Sequence, residues 1–142
     1  MPQDPGPESL HDRFRRALEL GSEALNRGDW ETAFAGLPPD FEFHPDPSVP
    51  DRRVLRDRAA LVGYFQATRD AFPDWRSDPL EFIETGADRI IVRSLLGGTG
   101  SRSGLDAKVE VYVVWELENE IPVRAYEFFD RQTAFERAGL EV

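Results

Sequence analysis

The residue whose type and position most suggest chemistry is Glu127, a carboxylic acid within an apolar strand pattern. Residues 121–129 alternate as a β-strand does, so Val123, Ala125, Glu127 and Phe129 share one face. If this face lines a cavity, the carboxyl group projects into an apolar space. Burial there would raise its pKa and suit it to general acid or base catalysis. The alternative is an ion pair with a neighbouring arginine, which would give the acid a structural role.

Other polar residues could take part in proton transfer. His44 ends a short alternating stretch, and a histidine can move a proton near neutral pH. The alternative for His44 is a pocket-lining or capping role. Glu110 and Tyr112 share the polar face of a strand over residues 107–117, a face that by default meets solvent.

The composition excludes several other kinds of site and partner. The chain has no cysteine and only two histidines, which excludes disulfides, cysteine nucleophiles and a histidine-rich metal site. Its 17 basic and 27 acidic residues give a net charge of −10, which would repel nucleic acid. No apolar run approaches the ~20 residues of a membrane span, and the N-terminus has no signal-peptide core. We therefore expect a cytoplasmic protein with no nucleic-acid or membrane partner.

Helical elements are predicted where apolar residues recur at spacings of three and four. The first helix begins near Ser9 and ends before Gly28, and residues 1–8 form a loose tail. Asp29 is the N-cap of a second, short helix, and Asp57 is the N-cap of a third that Pro73 closes. Residues 9–142 are predicted to form a single domain.

After residue 75 the period changes to two, which indicates strands. The predicted strands are a short one at 41–44 and longer ones after residue 75 and over 89–97, 107–117 and 121–129. The glycine-rich stretch 97–106 is predicted to be a loop, and Asp130 to cap a C-terminal helix. This order favours an α+β fold in which helices cover one face of an antiparallel sheet.

Several short stretches in a fixed order carry a resemblance to a known family. They are Leu-Asn-Arg-Gly-Asp-Trp at 25–30, Phe-His-Pro-Asp at 43–46, Arg-Asp-Arg at 56–58, Phe-Pro-Asp-Trp at 72–75, Tyr-Glu-Phe-Phe-Asp-Arg at 126–131 and Ala-Phe-Glu-Arg-Ala-Gly-Leu at 134–140. Together they resemble the SnoaL-like proteins of the nuclear transport factor 2-like superfamily. The resemblance implies an α+β roll of the cystatin-like kind. A curved, cone-shaped, antiparallel or mixed sheet wraps around three N-terminal helices and opens to an apolar pocket. Members include polyketide cyclases, ketosteroid isomerases, limonene-epoxide hydrolases and proteins without a catalytic role, so pocket residues must decide function.

The resemblance implies roles for individual residues. Glu127 matches the catalytic acid of SnoaL-like cyclases and of the epoxide hydrolases, and Arg93 matches the arginine that links two acids in the hydrolases. The second acid of that trio falls at Leu95, so the epoxide-opening arrangement is incomplete. We expect instead an Arg93–Glu127 ion pair, which would hold the acid ionised. His44 lies where the isomerases place their proton-shuttling acid, and Tyr112 where they place a hydrogen-bonding acid.

The resemblance also assigns the two faces of the strand over 107–117. Glu110 and Tyr112 would line the pocket floor, while the face with Val109, Val111, Val113 and Trp115 would lie outside. An apolar outer face of that width needs cover, which predicts a homodimer through the outer sheet face. Aromatic residues are predicted to form the core and to wall the pocket, namely Phe34, Phe65, Phe72, Trp75 and Phe129.

These expectations lead to two candidate functions. The first is a small-molecule-binding domain with an apolar pocket. The alternative is an acid–base enzyme of the isomerase, cyclase or hydrolase type that acts on a small apolar carbonyl or polyketide-like substrate. In the alternative, Glu127 or His44 abstracts a proton, and Tyr112 or Arg93 stabilises the oxyanion. We expect neither a metal nor a cofactor.

Overall fold

The structure is a computed structural model that describes residues 10–49, 52–86, 88–99 and 106–139. Its elements follow the chain in this order: α1 (Leu10–Asn26), α2 (Trp30–Phe34), β1 (Glu42–His44), α3 (Arg58–Ala71), β2 (Arg76–Glu84), β3 (Arg89–Thr99), β4 (Asp106–Glu118), β5 (Ile121–Phe128) and α4 (Arg131–Arg137). The α+β class predicted from the sequence is confirmed. The predicted tail at 1–8 lies outside the described residues. Across the described ranges, no helix combines the length and the apolar character needed to cross a membrane.

Helices α2, α3 and α4 begin where the sequence predicts, because aspartate side chains satisfy their first free N–H groups. Asp29 accepts from the Thr32 amide at 3.2 Å, and Asp57 accepts from the Ala60 amide at 2.8 Å. Asp130 does the same at the start of α4. Gly28 follows α1 with a φ of 76°, the left-handed conformation that favours glycine.

The five strands form one mixed sheet in the order β1-β5-β4-β3-β2. β1 pairs with β5 in parallel, with Phe43 opposite Ala125, and the other three pairings are antiparallel. A two-residue turn joins β4 to β5, where Asn119 and Glu120 have φ values of 50° and 69°. Asparagine adopts this left-handed conformation more readily than most residues, which suits Asn119 to the turn.

Helices cover both faces of this sheet, and the cover differs between them. Ile91, Tyr112 and Val114 pack with Phe128 beneath α4, which contributes Phe135 to this core. The opposite face packs against α1, α2 and α3 through two further clusters of buried residues. The two faces of the sheet therefore contribute to separate apolar cores.

This arrangement reverses the predicted assignment of the β4 faces. Val111, Val113 and Trp115 face the three N-terminal helices, whereas Tyr112 lies beneath α4. The prediction was wrong because the broad row of β-branched and aromatic side chains needs the larger cover of three helices. The short α4 suffices for the face with fewer apolar residues. Val111, Val113 and Trp115 are thus covered within the chain, and only Val109 of this face is exposed, so the broad apolar surface that suggested a second subunit is absent from the described residues.

β3 extends further than predicted, because Gly97 and Gly98 lie within the strand and pair with Lys108 and Ala107. Residues 97–99 therefore belong to β3 and not to the predicted loop, and residues 100–105 lie outside the described residues. A Cβ atom on Gly98 would lie 3.0 Å from Cβ of Phe72 and 3.1 Å from Cα of Trp75. The absence of a side chain lets the segment before β2 pack directly against β3.

We expect Gly98→Ala to destabilise the protein by about 1–3 kcal/mol, because the added methyl group meets backbone that cannot rotate away. Gly63 in α3 is the matched control, since nothing lies within 4 Å of its added Cβ. Gly63→Ala should raise stability by about 0.5–1 kcal/mol through helix propensity. Urea denaturation of both variants measures the two effects, and equal stabilities for the two variants would contradict the packing argument.

Candidate functional site

A cavity of about 580 Å³ lies between the sheet and the three N-terminal helices. Its walls are mostly apolar and aromatic, and they include the predicted residues Phe34, Phe65 and Trp75. Two other predicted wall residues do not line it: Phe72 packs beside Gly98, and Phe129 is 41% exposed. Phe129 immediately follows β5, so the alternation of the strand no longer places its side chain on the same face as Glu127.

Glu127 lies in the cavity wall and is only 7% exposed. It stands on β5 opposite Val113 of β4, which also lines the cavity. The backbone N–H of Asp46 donates to Oε1 of Glu127 at 3.3 Å. Burial raises the pKa of Glu127, and the negative charge of Asp46 adds to the increase, while the hydrogen bond from the Asp46 N–H acts against it. The carboxyl group is thus available as a proton donor or acceptor inside an apolar cavity.

Asp46 supports Glu127 and was not identified from the sequence. Its Oδ1 accepts from the Ser48 amide at 2.8 Å and the Ser48 hydroxyl at 2.5 Å, and its Oδ2 accepts from the Phe129 amide at 2.9 Å. Burial opposes ionisation, but these hydrogen bonds outweigh it and hold the pKa of Asp46 below its usual value. The pattern Asp46-Pro47-Ser48 is typical of a side-chain-capped turn and was the available signal.

Tyr64 of α3 is a second residue that was not identified from the sequence. Its ring lies 6.3 Å from that of Phe43 and 5.3 Å from that of Phe65, measured between centroids. Burial raises the pKa of Tyr64, and the charge of Glu127 raises it further. The phenol therefore stays protonated. Helical periodicity could not distinguish this position from an ordinary core aromatic.

The predicted Arg93–Glu127 ion pair is wrong. Arg93 pairs with Tyr112 in the β3–β4 register and so lies on the face of the sheet away from the cavity. Its guanidinium contacts the carboxylates of Glu110 at 2.6 Å and Glu81 at 3.6 Å. Glu110 and Tyr112, predicted on the pocket floor, therefore lie outside the cavity as well.

His44 also lies on the side of the sheet away from the cavity. It is opposite Tyr126 in the β1–β5 register, and the two rings stack with centroids 4.3 Å apart. Its Nε2 lies 3.1 Å from Oε1 of Glu42. Burial lowers the pKa of His44, partly offset by Glu42. The neighbouring Phe43 is the β1 residue that enters the cavity, so of the four predicted catalytic residues the structure places Glu127 alone in the wall.

We expect Asp46→Asn to lower the pKa of Glu127, because the substitution removes a negative charge that disfavours ionisation. It should also cost about 1.5–3 kcal/mol of stability at neutral pH, because the hydrogen bonds to Asp46 are made to a charged acceptor. NMR titration of the Glu127 side chain and urea denaturation measure the two effects. An unchanged Glu127 midpoint would show that the two carboxyl groups are not coupled.

No group of three histidine, aspartate or glutamate side chains is placed to hold a metal ion in the described ranges. The expectation that the protein works without a metal or cofactor stays a prediction.

Comparison with known proteins places this cavity in a structural context. The chain matches solved structures over most of its length, although no curated protein is detectably similar to it. An NTF2-like protein of unknown function from Burkholderia pseudomallei is 24% identical, with a TM-score of 0.69 over 91% of this chain and 97% of that one. IdmH, a candidate polyketide cyclase from Streptomyces antibioticus, is 23% identical, with a TM-score of 0.68 over 89% and 98%. TerC, co-crystallised with polyporic acid, is 20% identical, with a TM-score of 0.70 over 92% and 98%.

These likenesses confirm the nuclear transport factor 2-like fold predicted from the sequence motifs. The model of the SnoaL-like domain family matches residues 6–124, which cover every element from α1 to the start of β5. Glu127 lies just beyond the matched residues, so its role must be argued from the cavity itself. With the fold and the family model in agreement, the chain belongs to the SnoaL-like domain family.

Proposed function

We propose that the cavity between the sheet and helices α1–α3 binds a small, mostly apolar organic molecule. Its volume of about 580 Å³ falls in the range of small-molecule sites, and its walls are apolar with few polar groups. Leu61, Phe41 and Val111 are almost completely buried and fix the shape of the wall. The ligand would therefore gain affinity by transferring apolar surface out of water.

Glu127 gives this cavity a capacity for proton transfer, and its burial is the single observation that carries the catalytic proposal. A carboxylate that is poorly solvated is a stronger base than one in water, because burial raises the pKa of its conjugate acid. Proton abstraction next to a carbonyl group is a reaction that such a base can perform. The proposed activity is therefore cofactor-independent acid–base catalysis of the isomerase or cyclase type.

Two relatives support the choice of ligand class. IdmH is described as a candidate polyketide cyclase, and TerC crystallised with polyporic acid. With a cavity walled by Phe34, Phe65 and Trp115, an aromatic or polyketide-like carbonyl compound is the ligand that we propose for this chain.

Binding of 4-hydroxybiphenyl tests the first part of the proposal. Trp75 and Trp115 line the cavity, whereas the indole of Trp30 bonds Gln66 outside it. We expect saturable quenching of tryptophan fluorescence with a stoichiometry of one ligand per chain, which calorimetry confirms independently. Quenching that persists in a variant with both cavity tryptophans changed to phenylalanine would place the probe elsewhere and contradict the proposal.

The homodimer and the cytoplasmic location stay predictions. Val111, Val113 and Trp115 of the β4 face that suggested a dimer lie against the cavity, while the outer face carries ion pairs such as Arg124–Glu116 at 3.0 Å. Sedimentation equilibrium decides the oligomeric state directly, and a single monomer mass at high micromolar concentration would exclude the dimer.

A further inference from the structure

Three serine residues line the cavity on elements other than β5, the strand that carries Glu127. Ser22 lies on α1, Ser77 on β2 and Ser94 on β3, and all three line the cavity. Asn26, one turn beyond Ser22, holds the backbone of Ser77: its amide nitrogen donates to the Ser77 carbonyl at 3.0 Å, and its side-chain oxygen accepts from the Ser77 amide at 2.7 Å. We call Ser22, Ser77 and Ser94 the serine end.

The hydroxyl groups of the serine end have no partner for their hydrogen bonds among the residues that the structure describes. Ser94 is only 6% exposed and lies on β3 between the apolar side chains of Val92 and Leu96 on the same face. No buried side-chain oxygen or nitrogen of the described residues lacks a hydrogen-bond partner, so the Ser94 hydroxyl is accessible from the cavity and not sealed within the wall. These hydroxyls are therefore positioned to bond a polar group of a molecule in the cavity.

The serine end and Glu127 are separated by an apolar stretch of wall. β4 lies between β3, which carries Ser94, and β5, which carries Glu127. With strands about 4.8 Å apart, this places the two backbones roughly 10 Å apart across the sheet. Val92, Val111 and Val113 line the wall between them. A ligand that contacts both polar ends must be elongated and apolar in its middle.

The charged side chains near the serine end favour a neutral group on the ligand. Two arginines, Arg27 and Arg76, lie on a surface groove that shares Ser22 and Ser77 with the cavity. Arg76 is paired with Asp78 at 2.8 Å, and Arg27 is paired with Asp29 at 3.3 Å. With these cations already neutralised, an anionic group would gain little there.

We propose that the serine end is a second polar subsite, and that the ligand is an elongated molecule with a neutral hydroxyl or carbonyl oxygen at each end. One oxygen meets Glu127, and the other meets the hydroxyls of Ser77 and Ser94. This inference rests on the proposed function, because it describes the ligand of the same cavity.

Paired probes test the inference: 4-hydroxybiphenyl has one polar end, and 4,4′-dihydroxybiphenyl has two. We expect the dihydroxy probe to bind the wild-type protein about three- to tenfold more tightly, the effect of one or two additional hydrogen bonds. In the double variant Ser77→Ala, Ser94→Ala the two dissociation constants should become equal. The monohydroxy probe should bind the variant and the wild type alike, which controls for folding. Thr85→Ala, which removes a hydroxyl bonded to the Arg89 carbonyl outside the cavity, should leave the preference intact.

The outcomes separate the two levels of the proposal. Equal binding of both probes to the wild type, or a preference that survives the double substitution, would overturn the second subsite and leave the binding cavity standing. Failure of both probes to bind would overturn the proposed function and the subsite with it. Tighter binding of 4′-hydroxybiphenyl-4-carboxylate than of the dihydroxy probe would overturn the proposal that both polar ends of the ligand are neutral.

Discussion

Glu127→Gln is expected to lower the rate of base-catalysed elimination of 5-nitrobenzisoxazole in the cavity by a factor of about 10²–10⁴. In this reaction a base removes the carbon-bound proton of the ring, the N–O bond breaks, and a nitrophenolate nitrile forms. The probe is small and apolar, so it suits the cavity walls, and it needs no knowledge of the natural substrate. Glutamine keeps the shape of the side chain and cannot accept the proton as a carboxylate does.

The matched control is Glu110→Gln, since Glu110 lies on the opposite face of the sheet and pairs with Arg93. We expect the control to keep the wild-type rate. A loss of rate in Glu110→Gln, or a full rate in Glu127→Gln, would contradict the assignment of the base to the cavity wall. The product absorbs visible light, so the assay is a direct spectrophotometric measurement.

The pH profile gives the same assignment a second readout. The pKa of Glu127 is raised from its usual value near 4.5, so the rate should rise with pH and reach half its maximum above pH 4.5. A buried acid with a raised pKa is bound to its proton more tightly in the folded state. The raised pKa therefore stabilises the folded state at pH values below the pKa that the carboxyl group has in the unfolded chain. This stabilisation is lost as the pH rises through the pKa that the group has in the folded protein.

The direction of this pKa shift also predicts how Glu127→Gln changes the stability of the protein. Glu127→Gln should unfold at a temperature about 2–4 °C above that of the wild type at pH 7, which corresponds to roughly 1 kcal/mol. The difference should shrink as the pH falls below 4.5, where the wild-type carboxyl is neutral too. A variant that is equally destabilised at both pH values would indicate a structural role for Glu127.

Ile91→Ala is expected to lower the free energy of unfolding by about 2–5 kcal/mol, because Ile91 is completely buried beneath α4. Since Ile91 is on the face away from the cavity, the affinity for 4-hydroxybiphenyl should stay unchanged under conditions where the variant is folded. Urea denaturation and fluorescence titration measure the two quantities in one preparation.

Leu61→Ala is the companion variant, since Leu61 is 1% exposed and lines the cavity. It should be destabilised by a similar amount, about 2–5 kcal/mol, but it should also change probe affinity by enlarging the site. Equal changes of affinity in the two variants would contradict the division of the sheet into a cavity face and an α4 face.

Most of the local structure could be predicted from the sequence, because its causes are local. The aspartate caps at Asp29 and Asp57 and the turn at Asn119 depend on residues within a few positions of each other. The end of β3 was missed for the opposite reason. Gly98 is required by the close approach of Phe72 and Trp75, which are remote in the chain.

The candidate site was only partly predictable. Strand alternation groups Glu127 with Ala125 and separates Glu110 and Tyr112 from Val111, and these groupings are correct. Alternation cannot state which group faces the cavity, because both possibilities have the same period. The resemblance to the family supplied a choice of faces for β4, and that choice was wrong.

The sequence by itself determined the α+β order of elements, the family and the presence of an acid on an otherwise apolar strand face. Only the tertiary structure decided which faces meet. α4 covers Tyr112 and its neighbours, so Arg93 and His44 point away from Glu127. The same packing brings Asp46 to Glu127 across 81 positions of the chain. Contacts over such separations depend on how whole elements pack, which the periodicity of a single element does not encode.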